Sequence, residues 1–165
     1  MKYLIIHPQD PTTSFLSMIY APLQNKTVIT GGINRAELRR LIKSHKRIIM
    51  MGHGNGYGLM SVGQFPKEEH TIIDDSMVGE FLEKKDSIYI WCDADFLLWL
   101  HSLNGLCCGM FVSEIEEGHR CNIKDCDLNL ITESNNVFVS APLTNAAIFR
   151  SKTLPAFFFY LIIND

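Results

Sequence analysis

Short apolar runs, rich in β-branched and aromatic residues, recur along this chain and end at polar residues or glycine. Runs of this length and composition are typical of buried strands. Segments with helical spacing separate most of them, and strands that alternate with helices form a mostly parallel sheet with helices on both faces. We therefore predict an α/β fold, a three-layer sandwich around a flavodoxin-like central sheet. The five predicted strands are 3–7, 26–30, 47–52, 87–92 and 106–112.

The helices are predicted from capping residues and from the spacing of apolar residues. The clearest is 34–45, because Asn34 can cap it, Glu37 follows three residues later, and the apolar residues fall on one face. The other predicted helices are 13–20, one that Asp74 or Asp75 caps and that ends near 84, and one that Asp95 caps and that ends near 103. In the last of these we expect Leu98 and Trp99 to lie in the core.

Several segments give weaker signals. Four glycines in 52–58 predict a loop, since repeated glycine weakens any helix or strand. Residues 71–73 suit a small edge strand, 118–127 suit a polar loop, and 134–140 suit the start of a helix. Residues 153–163 suit either a late strand or a buried helix. Strand alternation places the adjacent Cys107 and Cys108 on opposite faces of the sheet.

Length and composition exclude several classes of protein. A chain of 165 residues fits one domain, 1–165, and its net charge of −3, with no basic run among aromatics, argues against nucleic-acid binding. The longest apolar run, 154–163, is half the length of a membrane span, which argues against a membrane protein. Five cysteines, an odd number that includes an adjacent pair, indicate a reducing compartment. We expect a cytoplasmic protein.

The C-terminal third, from 118 onward, is the least informative part of the chain. It ends on apolar residues followed by Asn164 and Asp165, so the domain could continue beyond this sequence. The same apolar residues would suit a homodimer. No cofactor signature is present, and we expect no metal site, because the spacing of His119, Cys121 and Cys126 lacks a clear fourth ligand.

Two predicted strands end on reactive side chains. His53 follows one and Cys92 follows the other, and the C-terminal ends of parallel strands meet at one edge of a sheet. A thiol attacks as its thiolate, and a neutral imidazole can serve as the base. Attack on a carbonyl creates an oxyanion, which the backbone N–H groups of Gly54 and Cys92 could stabilise. These residues predict covalent thiol catalysis on a peptide or related amide.

The same residues resemble a known superfamily. A His-Gly pair after the third strand, here His53 and Gly54, and a cysteine after the fourth, here Cys92, are similar to the caspase, gingipain and legumain superfamily of cysteine peptidases. The likeness covers about 1–114 in layout and two short motifs in detail. It implies a caspase-like sheet, a catalytic His53, a nucleophilic Cys92 and an oxyanion-hole N–H on Gly54. The implied partner is a peptide or protein substrate.

Acidic residues near the same sheet edge suggest a substrate pocket. By the resemblance, the strand that ends near 112 and the loop after it help to line that pocket, and we expect Asp93, Asp95, Ser113 and Glu114 to contribute. Acidic groups there would favour Lys or Arg in a substrate. A helix cap explains Asp95 equally well, and a solvated acidic turn explains Glu114 more simply.

Other interpretations stay open. Cys92 could be a small buried residue at a strand end, and His53 a loop residue that satisfies backbone groups. Trp91 and Asp93 depart from the superfamily pattern, which places a small residue before the cysteine. They favour the alternative, a catalytically inactive caspase-like or flavodoxin-like module that binds a partner or a small ligand.

Overall fold

In the part of the chain that the structure describes, the central sheet has six strands, of which five are parallel. The computed structural model describes residues 2–65, 70–84, 86–110, 112, 114–120, 123, 126–140 and 158–162. The strands of the central sheet are β1 (Tyr3–Ile6), β2 (Lys26–Ile29), β3 (Arg47–Met51), β7 (Ile88–Ile90), β8 (Gly105–Met110) and β9 (Phe158–Ile162). The sheet order is β2-β1-β3-β7-β8-β9, with β9 antiparallel to β8 and all other neighbours parallel. The five predicted strands are confirmed.

A second, smaller sheet follows β3. It is antiparallel and consists of β4 (Gly54–Asn55), β5 (Gly58–Met60) and β6 (Thr71–Asp74). The prediction of a loop over 52–58 is therefore wrong in part, because these glycines form a hairpin. Gly58 explains why: its φ is +147°, and a Cβ there would overlap with the carbonyl oxygen of Ile73 on the neighbouring strand. Glycine at position 58 is therefore required for the close pairing of β5 with β6, although glycine usually weakens a strand.

Helices cover both faces of the central sheet. The helices among the described residues are α1 (Ser17–Tyr20), α2 (Arg35–Ser44), α3 (Val78–Phe81), α4 (Ala94–Leu100), α5 (Ile115–Arg120) and α6 (Leu128–Ser140), with 3₁₀ turns before α1 and α3. Asn34 caps α2 as predicted, since its side chain accepts a hydrogen bond of 2.9 Å from the Glu37 N–H. No helix in the described part of the chain is long and apolar enough to cross a membrane.

Strand alternation divides the core into two layers. Leu4, Ile6 and Trp91 pack on the face covered by α2, α3 and α4. Ile5 and Ile90 pack on the opposite face, against the 3₁₀ turn and α1. Cys107 belongs to the first layer and Cys108 to the second, as the alternation predicts. The predicted α/β three-layer sandwich with a mostly parallel sheet is confirmed.

Five other predictions need correction or refinement. The segment 118–127 is not loop throughout, because α5 extends to Arg120, and α6 begins at Leu128 rather than near 134. Residues 158–162 form a strand, the first of the two alternatives. Asp93, not Asp95, holds the N-cap position of α4. Leu98 is buried, but Trp99 is 71% exposed and so does not belong to the core.

Candidate active site

His53 and Cys92 follow neighbouring parallel strands at equivalent positions. In the register between β3 and β7, Met51 pairs with Ile90, so each candidate residue lies two positions beyond the last pair. The ladder continues past that pair, since the Gly52 N–H donates to the Ile90 carbonyl oxygen at 3.0 Å. The sheet thus carries the histidine and the cysteine to the same edge on adjacent strands, which lie about 4.8 Å apart in a sheet.

The residues next to the candidate pair are in direct contact. The indole of Trp91 is fully buried, and its Nε1–H donates to the Asn55 carbonyl oxygen at 3.1 Å. A Cβ on Gly54 would overlap with that indole. The missing side chain of Gly54 therefore makes room for Trp91. This contact joins the segment after His53 to the strand end before Cys92.

The His53 imidazole is held from the β1 side. Its Nε2 lies 3.0 Å from Asp10 Oδ2 and 2.7 Å from Thr12 Oγ1. The Thr12 hydroxyl donates its single proton to Asp10 Oδ1 at 2.8 Å, so it can only accept from the imidazole. This network places the proton of neutral His53 on Nε2. Nδ1 is then the nitrogen with a lone pair available for a proton.

Asp10 sits in a tight turn after β1 that is built by its own side chain. Its Oδ1 accepts the backbone N–H groups of Thr12 at 2.9 Å and of Thr13 at 3.0 Å. Burial favours the neutral carboxyl, but the hydrogen bonds from Thr12 and Thr13 and the proximity of His53 outweigh it, so the pKa of Asp10 is lowered from 3.8. An ionised Asp10 therefore faces the imidazole at ordinary pH.

Sequence reasoning missed Asp10 and Thr12. The available signal was Asp10-Pro-Thr-Thr13 shortly after the first strand, a pattern typical of an aspartate-capped turn. The pattern does not indicate which strand lies next to that turn. The sheet order places β1 beside β3, at the point where the strand order reverses, and ligand sites of open α/β sheets gather at such points.

A second histidine lies beneath this turn. His7 is fully buried, and its Nδ1 lies 3.2 Å from the Tyr20 hydroxyl, which also accepts from Gln9 Nε2 at 3.0 Å. Burial lowers the pKa of His7 from 6.5 to about 4. His7 is therefore neutral at ordinary pH and supports the turn from inside the protein.

Cys92 differs from the other described cysteines in its exposure. Cys107 and Cys108 are fully buried and Cys126 is nearly so, whereas Cys92 is partly exposed. The exposed Asp93 follows in the left-handed conformation, with φ of +59°. Aspartate tolerates this conformation better than most residues, and the sharp turn starts α4 directly after the thiol.

The predicted pocket residues divide into two groups. Asp93 and Asp95 lie at the start of α4, beside Cys92, with Asp93 exposed and Asp95 partly buried. Glu114 is exposed just before α5, beyond β8, and its backbone N–H donates to Glu117 Oε2 at 3.3 Å. It directly precedes α5, so a helix follows where the sequence suggested a solvated acidic turn. Ser113 lies outside the described residues.

The described side chains do not form a metal centre. Within the parts of the chain that the structure covers, no group of three or more His, Cys, Asp or Glu side chains could hold a metal ion. The arrangement instead offers a thiol, an oriented imidazole and a carboxylate, which together suit acid–base and nucleophilic chemistry.

Comparison of this chain with protein-family models, with curated proteins and with solved structures returned no match in any of the three.

Proposed function

We propose that this protein is a cysteine hydrolase that cleaves a peptide or related amide bond, with Cys92 as the nucleophile and His53 as the general base. One observation carries the proposal: Trp91 packs against Gly54, so the residues adjoining the candidate pair are in contact. The engagement of His53 Nε2 by Asp10 and Thr12 supports it further, since it leaves Nδ1 to accept a proton. The resemblance to the caspase, gingipain and legumain superfamily agrees with the same roles.

The proposed reaction proceeds in two stages. His53 Nδ1 takes the Cys92 proton, and the thiolate attacks the amide carbonyl carbon while the N–H groups of Gly54 and Cys92 stabilise the oxyanion. The imidazolium then gives its proton to the amide nitrogen, the C–N bond breaks and a thioester forms. His53 next deprotonates a water molecule, which hydrolyses the thioester and restores the thiol. Asp10 stabilises the imidazolium in both stages.

Alkylation of Cys92 by iodoacetamide tests this proposal without a known substrate. Mass spectrometry of the peptide that contains Cys92 gives the rate at that position alone. If His53 activates the thiol, we expect alkylation at pH 6.5 at least tenfold faster than for an unstructured cysteine peptide, because the thiolate is the reactive form. His53→Ala should lower the rate about tenfold.

The control is His70→Ala, which removes an exposed imidazole outside the candidate site. This variant should alkylate like the wild-type protein. A Cys92 rate equal to that of the unstructured peptide, or unchanged by His53→Ala, would contradict the proposed function.

A second candidate function is a non-catalytic module that binds a partner or ligand through the same edge. The exposed carboxylate of Asp93, directly after the thiol, favours it, because negative charge disfavours a thiolate. Trp91 does not favour a binding module, because its indole is buried against Gly54 and does not lie in the cleft. The alkylation rates separate the two functions.

A further inference from the structure

Three exposed aromatic side chains form a continuous surface. Tyr57 is 73% exposed, Phe96 43% and Trp99 71%. The ring centroids of Tyr57 and Phe96 lie 6.3 Å apart, and those of Phe96 and Trp99 lie 6.1 Å apart. We call these three residues the aromatic strip. Single exposed apolar residues are ordinary, but contiguous exposed aromatic groups mark binding surfaces.

The aromatic strip connects the two segments of the candidate site. Tyr57 lies in the turn of the β4–β5 hairpin, which begins directly after His53. Phe96 and Trp99 belong to α4, which begins two residues after Cys92. The contact between the segments is close, since a Cβ on Gly56 would lie 2.8 Å from Phe96 Cδ1. The strip is therefore continuous with the edge that carries the candidate pair.

The charged residues within 91–100, the stretch that contains Phe96 and Trp99, are negative. Asp93 and Asp95 occupy the first positions around α4, and no lysine or arginine occurs in 91–100. In the part of the chain that the structure describes, neither carboxylate forms an ion pair. A ligand group that complements both the aromatic rings and the carboxylates has a positive charge at the end of an apolar stem. Arginine and lysine fit, because their stems pack on rings and their charged groups interact with ring faces and carboxylates.

We propose that the aromatic strip, together with Asp93 and Asp95, binds an arginine or lysine side chain of the peptide that the candidate site cleaves. This inference rests on the proposed function and specifies its substrate class. The strip selects the peptide by one cationic residue near the cleaved bond. Arginine binds better than lysine, because its planar guanidinium stacks on aromatic rings.

Trp99 itself supplies the measurement. The chain has two tryptophans, and Trp91 is fully buried, so acrylamide quenching of fluorescence reports mainly on the exposed Trp99. We would titrate the Cys92→Ala protein with acetylated, amidated pentapeptides that have alanine at every position except the centre. The central residue is arginine, lysine, citrulline, norleucine or glutamate. Citrulline matches the shape of arginine without its charge.

We expect the arginine peptide to protect Trp99 from acrylamide, and the citrulline and norleucine peptides to bind about tenfold more weakly. Tyr57→Ser and Asp95→Asn should each weaken binding of the arginine peptide about fivefold. Leu82→Ala, at a position 51% exposed outside the strip, is the matched control and should bind like the parent protein.

Equal binding of the arginine and citrulline peptides would overturn the proposal, and so would absence of protection by every peptide. Protection of Trp99 that rises with protein concentration in the absence of peptide would also overturn it, because the strip would then be a contact between copies of this chain. The Cys92→Ala protein cannot catalyse, so binding is measured independently of the proposed function. If Cys92 alkylates slowly while the arginine peptide still binds selectively, the proposed hydrolase activity is rejected and the proposed binding of arginine by the aromatic strip is supported.

Discussion

The strand end that carries His53 and the strand end that carries Cys92 lie side by side, yet different interactions hold them. His53 is held by polar groups of the turn after β1, chiefly the carboxylate of Asp10 and the hydroxyl of Thr12. The backbone before Cys92 is held by packing, because the Trp91 indole fills the space that Gly54 leaves open. We call these the histidine side and the cysteine side of the site.

Because different interactions hold the two sides, different perturbations should destabilise the histidine side and the cysteine side. Hydrogen bonds to an ionised carboxylate depend on pH, so the histidine side should respond to protonation. Packing in a dense interior depends on volume, so the cysteine side should respond to the addition or removal of atoms. The four changes below separate the two responses.

Removal of the Trp91 side chain should have the largest effect. Trp91→Ala leaves a cavity in the core and removes the hydrogen bond to Asn55, so we expect a loss of about 4 kcal/mol in the free energy of unfolding. Urea denaturation followed by circular dichroism measures it. Trp99→Ala is the matched control, since that side chain is exposed, and it should change stability by less than about 0.5 kcal/mol.

On the histidine side, titration of His7 should make the free energy of unfolding depend on pH. Its pKa falls from 6.5 in the unfolded chain to about 4 in the folded protein, so the unfolded state binds the proton first as the pH drops. Stability is therefore lost from about pH 6.5 down to about pH 4, by about 3 kcal/mol in total. His7→Gln should remove this contribution from the slope of unfolding free energy against pH.

The control for His7→Gln is His70→Gln, at an exposed position. Carboxylates also titrate in the lower part of the range, so the quantity to compare is the difference in slope between each variant and the wild-type protein. If His7→Gln leaves the slope unchanged between pH 6.5 and 5, burial does not keep this imidazole neutral.

A single added methyl group should disturb the cysteine side. Gly54→Ala would force its Cβ into the Trp91 indole, and overpacking of this kind costs about 2 kcal/mol. Gly79→Ala is the matched control: its Cβ would meet no atom within 4 Å, and alanine should stabilise α3 by about 0.5 kcal/mol.

A double-mutant cycle sharpens this test. In the Trp91→Ala background the indole is absent, so Gly54→Ala should cost less than it does alone; part of the cost should remain, because a Cβ on Gly54 would also lie 2.6 Å from the Gly58 carbonyl oxygen. Additive losses would show that the overlap with Trp91 is not the source of the destabilisation.

Asp10→Asn should have the smallest effect on stability, about 1.5 kcal/mol at pH 7, because the hydrogen bonds of the turn lose their charged acceptor. The lowered pKa of Asp10 means that its contribution is present above pH 3.8 and is lost as the pH falls through the folded pKa. The difference between variant and wild type should therefore shrink toward pH 3. Urea titrations at pH 7, 5 and 3 measure it, and a difference independent of pH would contradict this role.

Much of the fold could be predicted because its signals are local. Apolar runs bounded by polar residues indicate the parallel strands, and Asn34 with Glu37 marks the start of α2, since a side-chain cap acts within a few residues. The hairpin at Gly58 could not be predicted in this way. Its glycine is needed because a strand distant in sequence approaches it, and local composition does not report that approach.

At the candidate site, the buried side of helix α4 also could not be predicted from local sequence. Its residues 96–100 are Phe-Leu-Leu-Trp-Leu, apolar throughout, so helical periodicity does not indicate which side faces the core. Only the packed structure shows that Leu97 and Leu98 are buried while Phe96 and Trp99 are exposed. The prediction that Trp99 lies in the core failed for this reason.

By itself the sequence determined the layered α/β architecture and the placement of His53 and Cys92 at strand ends, because strand composition is local and parallel strands end at a common edge. The tertiary structure decided which groups surround that pair. Strand order brings Asp10 from the turn after β1 to the imidazole, packing seats Trp91 against Gly54, and helix orientation exposes the aromatic strip. Each of these depends on which distant segments become neighbours, and that is set by the whole fold rather than by any one stretch of residues.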